Sequence, residues 1–257
     1  MSEPVRLYTF SLSHFSEKTR WMLDATATDY REVTLTPFLH VPRALWLSGG
    51  RATTVPILRA DGVNIQGSAR ILQWLATNRR PCRLLPQDTQ VHAGILDIER
   101  RFDRIGAYVI RYAYSESLND RRGIARFWTL TSGPLSAAVV HGCFPVFRTV
   151  LRRARAITPA NVEKSRHAIG EALDWLEAQI ADGRDHLLTS ALSAADITVC
   201  ALLAPLACPD QHPVYGREDY RSLLRAQLAP WSARPALAWV RKIYREEREF
   251  GAARRPP

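Results

Sequence analysis

Three short segments in the first third of the chain place polar groups where a bound anion can be held. The first is Ser13-His14-Phe15-Ser16, at the point where an expected strand turns into an expected helix. The unpaired N–H groups and macrodipole at a helix N-terminus favour negative charge. A serine hydroxyl there can donate a hydrogen bond to a bound thiolate. Such a charge-assisted bond contributes about 1.5–3 kcal/mol and the dipole about 0.3–1 kcal/mol. Together they lower a thiol pKa of about 8.5 by roughly one to two units, enough to make it nucleophilic at neutral pH. The same hydroxyl can equally serve only as an N-cap, at about 1 kcal/mol. The second segment is Thr54-Val55-Pro56-Ile57. If its X-Pro bond is cis, the Val55 backbone turns towards a cleft and can pair with a peptide-like ligand. The third is Gln66-Gly67-Ser68, before another expected helix, where Ser68 can hold a carboxylate or be a plain N-cap.

Each segment is weak alone, but their order and spacing are not. S-x-x-S after a first strand, V-P opening a third and G-S-x-x-I after a fourth resemble the cytosolic glutathione transferase superfamily. The run SHFSEKTRWML is similar to the catalytic turn and first helix of its serine- and cysteine-type members. Ser193-Ala194-Ala195-Asp196, followed by ITVCALLAPL, is similar to the capping box and buried central helix of the family's second domain. The resemblance implies a thioredoxin-like α/β N-terminal domain plus an all-α C-terminal domain. It implies glutathione as co-substrate, no metal, a small electrophile as second substrate, and a homodimer. It makes Ser13 the catalytic residue. It spreads the glutathione-binding set over Ser13, Phe15, Val55 and Pro56, with Gly67 and Ser68 at the γ-glutamyl end and Thr54 and Arg51 at the glycyl end.

Two positions depart from the family pattern. Tyrosine-type members activate the thiol from the end of the first strand. Matching Arg20 puts that position at Thr9, and Tyr8 falls on the opposite strand face, so Tyr8 is expected in the core. Gly67 stands where the family usually has Glu, Asp or Gln, which weakens the γ-glutamyl clamp, and strand alternation aims Gln66 elsewhere. A serine at position 13 cannot form a mixed disulfide, so thiolate activation is favoured over thiol–disulfide exchange. Ser16 is a fallback activator. His14 is expected on the surface or in a loop, with a minor prospect as a base. Trp128, Phe144 and Phe147 either line an apolar pocket or belong to the helical core. Cys200 and Cys208 read as core. The alternatives to a transferase are a non-catalytic binding or scaffold protein, or a glutathione-dependent isomerase or dehalogenase.

The elements that position these groups follow from periodicity. Strands are expected at Val5–Phe10, Arg31–Leu35, Val55–Ala60 and Val63–Gln66, the last two joined by an Asp61-Gly62 turn. Helices are expected over 14–27 and 68–78. Residues 37–50, punctuated by Pro and Gly, read as a loop with a helical turn at most. The Pro-rich stretch 79–89 reads as a linker between domains 1–80 and 90–257. Beyond it a helix is expected over 90–114, and Thr158-Pro159 opens another that Asp182-Gly183 ends. A fully apolar helix follows over 194–206, and Pro235 opens a last one to about Arg248. The stretch 115–157 is ambiguous and read as helical.

Length and composition agree with this plan. The chain has 257 residues, 46% hydrophobic and 23% charged, a globular profile. The N-terminus lacks the pattern of a secretory signal. Four cysteines without a C-x-x-C pair suit neither a disulfide framework nor a zinc site, and point to the cytoplasm. The net charge is +10, and 32 of the 35 cations are arginine, distributed along the whole chain. That reads as a preference for arginine, with neither a nucleic-acid nor a membrane partner expected.

Overall fold

A computed structural model describes residues 4–79 and 82–248. The ends of the two expected domains and positions 80 and 81 of the expected linker lie outside the described residues.

The N-terminal part is a four-stranded mixed sheet in the order β2-β1-β3-β4. Its strands are β1 (Arg6–Thr9), β2 (Arg31–Thr34), β3 (Ile57–Ala60) and β4 (Val63–Gln66). β2 runs parallel to β1, which requires a crossover, supplied by α1 (His14–Ala25). β3 and β4 form the hairpin around Asp61 (φ 49°) and Gly62 (φ 76°), both in the left-handed conformation that a two-residue turn needs. Side chains alternate across the sheet. Leu7 and Leu58 enter the main core with Trp21, Met22 and Leu23 of α1, whereas Tyr8 and Ile57 point to the other face.

That other face corrects the sequence reading of residues 37–50. It is covered by a two-turn helix, α2 (Val41–Ser48), which buries Ala44 and Leu47 against Tyr8 and Ile57. Pro42 in the first turn and Gly49 at the C-cap (φ 62°) read in isolation as breakers. They are the start and stop of a helix, since proline suits the first turn and glycine the left-handed cap. α3 (Ser68–Asn78) closes the unit and buries Ile71, Leu72 and Leu75.

The remainder is helical. α4 (Thr89–Ser117) buries Ile95, Ile98, Phe102, Ile105 and Val109 at steps of three and four. The ambiguous stretch resolves into α5 (Arg121–Trp128), α6 (Pro134–Gly142) and α7 (Phe144–Ala154). The Thr158 hydroxyl caps α8 (Pro159–Gln179) by accepting from the Asn161 amide at 3.3 Å. α9 (Ala194–Ala207) is buried along its whole length and is the centre on which α1, α4 and α12 (Pro235–Glu247) pack. The Asp196 carboxylate accepts from the Ser193 amide (2.8 Å), the Ser193 hydroxyl (2.6 Å) and the Leu187 amide (2.8 Å), which seals the buried start of α9. Leu84, in the expected linker, accepts from the Ala194 amide at 3.0 Å, tying that segment to the same helix start. α10 (Glu218–Leu223) and α11 (Arg225–Leu228) complete the helices.

Candidate active site

The sheet register gathers the three polar segments at one edge. Tyr8 of β1 is paired with Ile57 of β3, and Ile57 with Gln66 of β4. β3 is antiparallel to both neighbours. The C-terminal ends of β1 and β4 and the beginning of β3 therefore share one end of the sheet. The turn to Ser13, the Val55-Pro56 bond and the Gly67-Ser68 entry to α3 all extend from it.

Ser13 is the N-cap of α1, and its Oγ accepts from the Ser16 amide at 3.1 Å. An accepting oxygen keeps its own proton, so capping leaves the hydroxyl able to donate to an anion. The turn that carries Ser13 is fastened from several sides. The Arg20 guanidinium donates to the Phe10 carbonyl at 2.8 Å, the Tyr215 hydroxyl to the Leu12 carbonyl at 3.2 Å, and the Phe10 amide to Ser16 Oγ at 3.4 Å. Ser16 is fully buried in that contact, which turns the fallback activator inward.

His14 departs from the expected surface or loop position. It is buried, with Nε2 2.9 Å from the Gly106 carbonyl of α4. Glycine at 106 eases the approach, since a Cβ there would meet His14 Nε2 and Phe15 Cζ at 3.1 Å and press them back by a few tenths of an ångström. Burial lowers the His14 pKa from 6.5 to about 4, against the raising effect of the Gly106 hydrogen bond. The imidazole is therefore neutral at physiological pH and acts as a fastening between α1 and α4.

The Val55-Pro56 bond is cis. Pro56 is buried and its carbonyl accepts from the Gly67 amide at 2.9 Å, joining the second segment to the third. Gly67 is the N-cap of α3, so Ser68 is the first helical residue rather than the cap. Gly67 has φ 92° and ψ 141°, a backbone region nearly restricted to glycine. A Cβ would meet nothing within 4 Å there, so the bar to an acidic side chain is the backbone angle and not space. Gln66 Nε2 donates to the Thr54 carbonyl at 2.7 Å and supports the loop before Val55. Arg51 donates from Nε to the Ser48 carbonyl at 3.0 Å, closing the end of α2. Thr54 is exposed, and Phe15 half-buried.

Three further residues at this edge escaped the sequence reading. His40 Nε2 lies 2.8 Å from the Thr53 carbonyl, and its ring stands edge-on to Phe10 at 4.6 Å. Phe38 crosses from the N-terminal unit to the helices, stacking on Phe147 at 4.2 Å and meeting Trp128 edge-on at 5.0 Å. Trp128 stacks on Phe144 at 5.5 Å. Phe38 and His40 sit in the stretch read as a loop, where no periodicity marks an inward face, and Phe10 is the last residue of the expected first strand. Two hydroxyl pairs, Ser11 with Thr131 (3.1 Å) and Thr36 with Ser132 (2.7 Å), tie the same edge to the loop after α5. The apolar cavity beside Leu12, lined by Ile110, Tyr114, Tyr215 and Tyr220, is about 10 Å³, enough for one water. The described residues hold no cluster of three or more metal-ligating side chains. Cys200 and Cys208 are buried thiols with raised pKa values, Cys208 at about 12, and belong to the core.

Residues 7–82 match the family described as glutathione S-transferase, N-terminal domain. No curated protein matches the chain. Among solved structures, the chain is similar to a glutathione S-transferase from Methylobacterium radiotolerans in complex with glutathione sulfonate. The identity is 19%, covering 92% of this chain and 93% of that one, with a TM-score of 0.57. It is similar to the beta-etherase LigF from Sphingobium at 21% identity, 93% and 99% coverage and a TM-score of 0.61. It is also similar to a glutathione S-transferase from Methylobacillus flagellatus with glutathione bound, at 16% identity, 97% and 96% coverage and a TM-score of 0.57.

Proposed function

We propose, from the match of residues 7–82 to the glutathione S-transferase N-terminal domain and from a fold shared with glutathione S-transferases, that the protein activates the glutathione thiol at Ser13. The observation that carries the proposal is the cap geometry. Ser13 Oγ accepts from the Ser16 amide and retains a proton to donate, at a helix start where the dipole favours an anion. The thiol proton leaves to water, the thiolate is held by the hydroxyl and the helix terminus, and the sulfur attacks a small electrophile. Its driving effects are thiolate stabilisation and proximity.

In this reading the Val55 backbone pairs with the cysteinyl unit beside Pro56, as in β-strand addition. Ser68 and the Gly67 backbone take the γ-glutamyl carboxylate, and Thr54 and Arg51 lie towards the glycyl end. A cytoplasmic homodimer belongs to the same reading. A second reading, a glutathione-binding protein without transferase activity, is favoured by Gly67. Glycine brings no acidic side chain to the γ-glutamyl clamp, its backbone angle would strain one placed there, and weak affinity for glutathione is expected.

Titration calorimetry with glutathione tests the proposal, joined to the ultraviolet absorbance of the bound thiolate. Wild type should bind and show thiolate at neutral pH. Ser13→Ala should still bind, lose the thiolate signal, and conjugate a general electrophile roughly 10- to 100-fold more slowly, the loss of one charge-assisted hydrogen bond. No heat at millimolar glutathione would overturn both readings. Binding with thiolate unchanged in Ser13→Ala would remove the assigned role of Ser13.

A further inference from the structure

The arginine excess is not evenly placed. Residues 121–157 contain seven arginines and no aspartate or glutamate. They hold seven of the ten net positive charges in 37 of 257 residues. The same segment, α5 to α7 with its loops, supplies five of the large hydrophobic side chains that stand in solvent. These are Leu130, Leu135, Val139, Val146 and Val150, with Leu135 at 80%, Val146 at 61% and Val150 at 51% exposure. They are ordered by helical spacing. Leu135 and Val139 lie four residues apart on α6. On α7, Val146, Val150 and the exposed Arg153 fall at i, i+4 and i+7, one outward stripe. The inward faces are accounted for separately, since Val140 and Phe144 are buried and Phe147 stacks on Phe38. The two helices bend by 72° at Cys143, and no single described helix is long and apolar enough to cross a membrane.

We infer that this α6–α7 face is a docking surface for an anionic lipid bilayer, lying on the interface without spanning it. Charge complementarity selects the occupant. Arg126 of the segment is paired with Asp219 at 3.1 Å, but a second copy meeting the same face about a two-fold axis would still set the Arg153 end of the row against arginine. A nucleic acid would use the arginines but has no place for exposed leucine and valine. A bilayer takes both, with the aliphatic side chains entering the headgroup–acyl boundary and the guanidinium groups meeting lipid phosphates. Arg153 continues the α7 row itself, and exposed Arg122 and Arg155 stand near the two ends of the segment in sequence. This inference runs against the expectation, drawn from the arginines taken as evenly spread, that the protein has no membrane partner. It is independent of the glutathione site.

The test is flotation of the full chain with vesicles of phosphatidylcholine alone and with about a third phosphatidylglycerol. Wild type should partition at least about tenfold better into the anionic vesicles, and lose that preference at high salt. Leu135→Asp with Val146→Asp changes only exposed positions, so its circular dichroism should match wild type. It should bind anionic vesicles about tenfold more weakly while retaining wild-type binding to inorganic polyphosphate. Arg153→Glu with Arg155→Glu should weaken both. Equal partition into both vesicle types would overturn the inference. So would vesicle binding unchanged in the Leu135/Val146 variant, which would leave a general polyanion site. A fall in molecular mass in that variant would instead make the face a contact between copies of this chain and would equally overturn it.

Discussion

At the scale of single residues, two side chains show how position fixes chemistry. Ser13 is an N-cap, and because a hydroxyl accepts with its lone pairs and donates with its proton, the cap is compatible with the proposed donor role. His14, its neighbour, is held neutral by burial. Its pKa in the folded protein is about 4, below the 6.5 of an unfolded chain. Between those values the unfolded state binds more protons, so stability rises with pH across the window. The contribution is complete above about pH 6.5 and is lost as pH falls towards 4, amounting to on the order of 3 kcal/mol. Urea unfolding at pH 7 and pH 5 should show a lower midpoint at pH 5. His14→Gln, which does not titrate, should show less of that slope. An identical slope in both would place the titrating group elsewhere.

Among elements, the cap of α9 is the most exposed to a single substitution. Asp196 accepts three hydrogen bonds at a position without solvent, and burial raises its pKa in spite of them. Asp196→Ala would leave the amides of Leu187 and Ser193 buried without a partner, at about 1–3 kcal/mol each. Because α9 packs on α1, α4 and α12, the loss falls on the whole fold. Thermal unfolding of Asp196→Ala should show a destabilisation of roughly 3 kcal/mol. A loss below about 1 kcal/mol would mean that water satisfies the freed amides. Gly67 illustrates the opposite case, an element boundary where the residue type follows from the backbone angle. α3 begins after a glycine-only conformation, and an acid restored there would carry backbone strain of about 1–3 kcal/mol.

Over the whole molecule, buried charge joins the N-terminal unit to the helices. Lys18 of α1 is fully buried and bonds Glu99 at 2.6 Å and Asp103 at 2.7 Å, both on α4. Arg248, after α12, bonds Glu17 at 2.7 Å and Asp24 at 2.9 Å on the same α1. Helix α1, which carries Ser13 at its start, is thus gripped from two sides. Lys18→Met would strand two carboxylates, and breaking a buried pair costs about 3–5 kcal/mol. Urea unfolding should register that loss. Adding Glu99→Gln, which removes one stranded charge, should return part of it. If the single substitution were neutral, the clamp would contribute nothing to the joining of the two parts.

The sequence by itself determined what depends on neighbours along the chain. Val63–Gln66 and Ser68–Asn78 are readable because an Asp-Gly turn and a 3.6-residue repeat are local patterns. The caps at Thr158 and Ser193 are readable because a cap needs only three or four consecutive residues. The order of the polar segments was enough to point to the family. Tertiary structure decided what depends on residues far apart in sequence. Helix α2 forms where Pro42 and Gly49 read as breaks, because Tyr8 and Ile57 offer its Ala44 and Leu47 an apolar face. His14 is buried against α4, where it meets the carbonyl of a glycine 92 positions away. Phe38 meets Phe147 and Trp128 only once the two parts pack. The outward row of Leu135, Val139, Val146 and Val150 is visible only once the inward faces of α6 and α7 are known. Burial and long-range contact are properties of the packed chain, and no local periodicity encodes them.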